Sequence, residues 1–92
     1  MIVRLVKMVF NESEIDNFKS IFESAQLKIA KMQGCLKVDL RQEIDKPEIF
    51  FTISHWESEN DLENYRKSEL FINTWKLVKP LFKEKAEAWS LS

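Results

Sequence analysis

Two stretches of this chain, Ile2 to Phe10 and Glu48 to Trp56, are mainly apolar on both of their alternating faces. Side chains leave a strand with a period of two, so each stretch reads as a strand that must be covered from above and from below. A chain of 92 residues finds that hard to supply. A domain of this size buries only about 65% of the surface its unfolded chain exposes. With 45% hydrophobic residues, including seven Phe, three Trp and one Tyr, the chain is predicted to be a single folded domain over residues 1–92. Its apolar surplus predicts self-association.

Between the two strands lies a run of period 3.6. Ile15, Phe18, Phe22, Ala25, Ile29 and Met32 recur at spacings of three and four and form one apolar stripe. Asn11 or Ser13 is the expected cap of this helix, and Gly34, the only glycine, is expected to end it in a left-handed conformation. Cys35 to Gln42 then alternates, with Leu36, Val38 and Leu40 on one face, and Asp45-Lys46-Pro47 turns the chain into the strand ending at Trp56. Ser58 suits the cap of a second helix carrying Leu62 and Tyr65, and Ser68 a further helical segment from Glu69 to Lys79, closed by Pro80. Lys83 to Leu91 has helix-forming composition, but its alternation sets Ala86, Ala88 and Ser90 against Lys85, Glu87, Trp89 and Leu91 and predicts a fourth strand. The order β-α-β-β-α-β is the ferredoxin-like α+β plan, a four-stranded antiparallel sheet with helices on one face. The other face is predicted to meet a second copy of the chain.

Composition narrows the function. A net charge of −1 offers no field for phosphate backbones, and no apolar run approaches the roughly 20 residues of a membrane span. Neither nucleic acid nor membrane is therefore an expected partner. The lone Cys35 forbids an internal disulfide, and with no charged-then-apolar leader the chain reads as cytoplasmic. His55 and Cys35 are the only residues of their types and have no second ligand at zinc-motif spacing, so no metal is expected. RNA-recognition domains share the βαββαβ plan and stack bases on strand aromatics, but the third strand here has no glycine and Phe50-Phe51 lack the accompanying basic charge.

The chemistry-bearing cluster is His55, Trp56, Tyr65, Arg66, Trp75, Lys79 and Trp89, most of it in or beside the second helical region. Amphipathic rings with polar tips commonly line pockets for flat organic molecules. Filling of the core is the competing reading of the same residues.

The chain resembles the antibiotic biosynthesis monooxygenase family of dimeric α/β barrels. The points of likeness are the Gly34-Cys35 step from helix to strand, Trp56-Glu57-Ser58 at a strand end, Leu62, and Tyr65-Arg66-Lys67-Ser68-Glu69-Leu70-Phe71 leading to Trp75. The resemblance implies a homodimer joined through its sheet faces, with a pocket between sheet and helices in each subunit. Some members oxygenate polycyclic phenols or quinols with molecular oxygen and no metal, flavin or other cofactor. In that light Tyr65 and Arg66 are the candidate catalytic residues: Tyr65 orients a substrate oxyanion, and Arg66 or Lys79 favours it by charge. Trp56 and Trp75 would stack on the substrate rings, and His55 and Trp89 complete the candidate binding set. A haem-degrading branch of the superfamily uses an axial histidine in the second helical region and an asparagine on the first strand. Trp75 stands at the first place and Ile2–Phe10 has no asparagine, so haem is not expected. A non-catalytic dimer that holds a metabolite in the same pocket is the alternative.

Overall fold

The computed structural model describes all residues, 1–92. Four strands, β1 (Ile2–Phe10), β2 (Cys35–Gln42), β3 (Ile49–Trp56) and β4 (Phe82–Leu91), form one antiparallel sheet in the order β2-β3-β1-β4. The helices are α1 (Ile15–Ala30), α2 (Glu59–Arg66) and α3 (Glu69–Val78). This is the ferredoxin-like α+β fold. Its two inner strands, β1 and β3, are the two whose sequences are apolar on both faces. The edge strands β2 and β4 are the two whose sequences alternate between apolar and polar residues.

All three helices pack on the same face. From the sheet, Met8, Phe10, Phe50, Trp56 and Val38 point into the core and meet Phe18, Phe22, Ala25 and Ile29 of α1, Leu62 of α2 and Val78 of α3. The centre is aromatic: the rings of Phe10 and Phe18 stack at 4.1 Å, and Phe50 meets Phe18 edge-on at 5.0 Å. Burying a side chain of this size contributes about 1.5–3 kcal/mol through apolar transfer alone. No helix is long and apolar enough to cross a membrane.

Several local expectations change. The side chains of Asn11 and Ser13 do not cap α1; a 3-10 turn at Glu12–Glu14 precedes the helix, and Asn11 Nδ2 donates instead to the carbonyls of Leu81 and Phe82. The Asn11 side chain thus ties the end of β1 to the start of β4. α1 stops at Ala30, four residues before Gly34. Gly34 has φ +82° and turns the chain into β2, where a Cβ would collide with the side chain of Asp61. Its carbonyl accepts from the Glu57 amide at 2.8 Å, so this glycine joins the entrance of β2 to the exit of β3.

A bulge where Cys35 and Lys37 face Trp56 and His55 breaks the alternation of β2. Cys35 consequently packs against the core, and Leu36 is 53% exposed. β4 is a strand despite its helix-forming composition, because pairing along β1 outweighs local propensity. Two register shifts near its start bring Phe82 opposite Phe10 on the core side.

The face without helices is set by register. Directly opposed residues of antiparallel strands share a face. Leu5 lies between Ile53 and Trp89, and Val3 between His55 and Leu91. Trp89 is 40% and Leu91 47% exposed. Along β2 this face ends in Lys37, Asp39 and Arg41, with an ion pair of 3.4 Å between the first two.

Candidate functional site

The short helices α2 and α3 stand over the middle of the sheet and are held by two serine caps. Ser58 Oγ accepts from the Asp61 amide at 3.1 Å, and Ser68 Oγ accepts from the Phe71 amide at 3.2 Å. Ser68 also donates to the carbonyl of Tyr65 at 2.6 Å, closing α2 while it opens α3. That one hydroxyl joins the end of one helix to the start of the next. Tyr65 and Phe71, on either side of the break, meet edge-on at 5.2 Å.

Between these helices, α1 and the sheet is a cavity of about 310 Å³, at the lower end of the range of ligand sites. Thirteen of its 18 lining residues are hydrophobic, so the few polar ones decide how a guest would lie. Tyr65, Arg66 and Trp75, all in the sequence-predicted cluster, line it together with Phe71 and Thr74 from the helices. Arg4, Thr52 and Ser54 line it from the sheet. Phe71 and Trp75 are nearly parallel, 5.8 Å apart with planes inclined by 10°, and Phe82 meets Trp75 edge-on.

Trp56 is fully buried and does not line the cavity. Its indole stacks on Tyr65 at 4.9 Å and its Nε1 donates to Ser54 Oγ at 2.9 Å, so it backs Tyr65 and orients Ser54. His55 and Trp89 point to the opposite face of the sheet. Neighbouring residues of a strand face opposite ways, so His55 cannot join Trp56 on the helix side. Register places His55 beside Val3 and Trp89 beside Leu5 on the face without helices. The Nδ1 atom of His55 is shielded from solvent and has no hydrogen-bond partner. Lys79 lies just beyond the last turn of α3, exposed and outside the cavity lining.

Electrostatics divide the polar groups. Burial, and secondarily the proximity of Cys35, pushes the Tyr65 phenol up to about 12, which keeps it a neutral hydrogen-bond donor near pH 7. Burial also raises the Cys35 thiol, partly offset by a backbone hydrogen bond from Lys37. A raised thiol is a poor nucleophile at neutral pH. The Arg4 guanidinium is pushed down, first by burial and next by the charge of Arg66, with Glu63 acting in the opposite sense. No three His, Cys, Asp or Glu side chains gather as a metal-ligand cluster.

Sequence reasoning missed Arg4, Thr52 and Ser54. The available signal was parity: Arg4 interrupts the row Ile2, Val6, Met8, Phe10 that faces the helices, and Thr52 and Ser54 interrupt the corresponding row of β3. Polar residues within a core-facing row are candidates for a cavity floor.

The same frame recurs among known proteins. The family model for antibiotic biosynthesis monooxygenases matches residues 1–76, and the chain belongs to that family. A conserved protein from Methanosarcina mazei Go1 has a similar structure, with a TM-score of 0.92 and 22% identity over 99% of this chain and 91% of that one. A protein from Nitrosomonas europaea that bears the family's name superposes with a TM-score of 0.94 at 15% identity, covering 100% of this chain and 97% of the other. A mutant of SnoaB, a cofactor-independent oxygenase from Streptomyces nogalater, gives a TM-score of 0.88 at 15% identity over 99% and 90% of the two chains. At these identities the structural likenesses establish the fold. No curated protein sequence matches the chain.

Proposed function

We propose that this chain is a cofactor-independent monooxygenase that oxidises a small aromatic, quinol-like metabolite in the cavity between sheet and helices. The observation that carries the reading is Tyr65, a phenol held in its neutral form at the wall of an apolar cavity of about 310 Å³. Such a group donates a hydrogen bond to the oxygen of an electron-rich phenolate, and apolar walls strengthen that bond by excluding water. Molecular oxygen is the oxidant: one of its atoms enters the substrate as a carbonyl oxygen and the other leaves as water with two hydrogens from the substrate, one from the ring carbon attacked and one from the phenol hydroxyl. Arg66 adds positive charge near the oxyanion, Trp75 offers a face for stacking, and Trp56 holds Tyr65 in position. SnoaB is described as a cofactor-independent oxygenase, and family membership supports the same reaction class here.

The working unit in this reading is a cytoplasmic homodimer of a single-domain chain, joined through the helix-free face of the sheet. Leu5, Ile53, Trp89 and Leu91 provide the apolar area for that contact.

Oxygen uptake by the purified protein across a panel of quinols and anthrone-type phenols, at neutral and mildly alkaline pH, tests the activity. Turnover with at least one of them is expected. Tyr65→Phe is expected to lower kcat by about a hundredfold, the effect of losing one oxyanion donor, and Trp75→Ala to raise KM. Tight binding of these compounds with no oxygen uptake would replace the enzyme by a metabolite-holding dimer. Unchanged turnover in Tyr65→Phe would refute the assignment of the site.

A further inference from the structure

The helix-facing side of the sheet carries one polar row, and it crosses three strands. Arg4 on β1 is paired in register with Ser54 on β3 and Ser90 on β4. Arg4 is partly exposed, and its Nη1 donates to the neutral Ser90 Oγ at 2.9 Å in a hydrogen bond open to solvent. No carboxylate lies within ion-pair distance of it. Arg66, at the end of α2, lines the same cavity, and its Nη1 meets Glu63 at 3.4 Å on the exposed side of the helix. This end of the cavity thus gathers two guanidinium groups and one carboxylate. Holding two cations beside an apolar space is unfavourable, and the influence of Arg66 on Arg4 is a sign of that cost. A core-facing position on an inner strand, otherwise occupied by Ile2, Val6 and Met8, would be filled more stably by an apolar residue.

We infer that Arg4, assisted by Arg66, anchors an oxyanion group carried by the ligand, so that the molecule taken by this cavity has a flat apolar body and an anionic head. The guanidinium of Arg4 presents five N–H donors, of which Ser90 takes one, and its planar fork suits a carboxylate or a phosphate ester. The head would lie against Arg4 near Ser54, and the body would run between the sheet and the parallel rings of Phe71 and Trp75. This inference rests on the aromatic-ligand reading of the cavity and adds the charge of the ligand to it. Arg4 is a binding residue here; the hydrogen bond to the reacting oxygen remains with Tyr65.

Calorimetric titration with naphthoate, naphthyl phosphate and the neutral, isosteric naphthamide tests the inference. Naphthoate is expected to bind about tenfold or more tightly than naphthamide, the worth of one charge-assisted hydrogen bond set. Arg4→Gln should bring the two within about twofold of each other, chiefly by lowering naphthoate affinity, and Arg4→Lys should retain part of the preference. Naphthyl phosphate binding above naphthoate would assign the head as a phosphate ester, and the reverse order as a carboxylate. Equal affinity for naphthoate and naphthamide in the unsubstituted protein would overturn the inference and leave the aromatic site standing. So would a preference that survives Arg4→Gln. Binding of none of the three probes would overturn the inference and the aromatic-site reading together. Should Arg4→Gln fail to fold, the comparison of probes on the unsubstituted protein and on Arg4→Lys still decides.

Discussion

The two faces of the sheet are built from the same four strands and end in different surfaces. On the helix side, Met8, Phe10, Phe50 and Trp56 meet three helices, and the short pair α2 and α3 leaves a cavity beside them. On the other side, Val3, Leu5, Ile53, Trp89 and Leu91 form an apolar band bordered by the charges of β2. Apolar content alone does not separate a pocket from an interface. What separates them is the helical cover: a broken helix over a sheet cannot fill all the space beneath it, whereas a bare sheet face can be filled by another of the same shape.

Equivalent truncations on the two faces should have different consequences. Phe10→Ala empties the aromatic centre on the helix side, and about 3–5 kcal/mol of unfolding free energy should disappear in urea denaturation. A loss below about 1 kcal/mol would mean that the core is not where the packing puts it. Trp89→Ala on the other face should leave secondary structure and ligand affinity intact. Its expected effect is on self-association, with the dimer dissociation constant in sedimentation equilibrium rising about tenfold or more, as for an aromatic anchor at an interface. Unchanged association would exclude this face as the contact. The smallest effect concerns pH. The phenol of Tyr65 ordinarily titrates at 10.0 and burial in the folded chain pushes it up to about 12, so both states are protonated below pH 10. As pH rises from 10 towards 12 the unfolded chain releases this proton while the folded chain keeps it, and stability falls through that window. Tyr65→Phe should lack this part of the alkaline loss. Because Tyr65 is the only tyrosine, phenolate absorbance reads its titration directly, and a midpoint near 10 would contradict the buried position.

Much of this division was legible in the residues, and the exceptions have physical causes. Strands apolar on both faces became the inner strands, and the caps Ser58 and Ser68 marked the break between α2 and α3 that opens the cavity. The fourth strand was legible by alternation although its composition favours helix. What local pattern does not carry is register. The bulge in β2 reversed the expected side of Leu36, and Asn11 found carbonyls some 70 residues away in place of a helix end. Within the candidate site, Tyr65, Arg66 and Trp75 share the cavity because they sit on the helices above it. Proximity in sequence joined His55 to Trp56, whereas strand parity separates them. Arg4 was hidden by the apolar residues around it, and only the pairing with Ser54 and Ser90 reveals it as part of a polar row.

The three tryptophans occupy three distinct settings: Trp56 in the core behind Tyr65, Trp75 at the cavity and Trp89 on the helix-free face. Their indole N–H signals in proton NMR, followed during titration with a naphthol, show whether aromatic ligands are taken on the helix side. The expected result is a saturable shift of Trp75, a smaller one of Trp56 and a stationary Trp89. A shift of Trp89 with Trp75 unmoved would place the ligand on the helix-free face and rule out the cavity as its site.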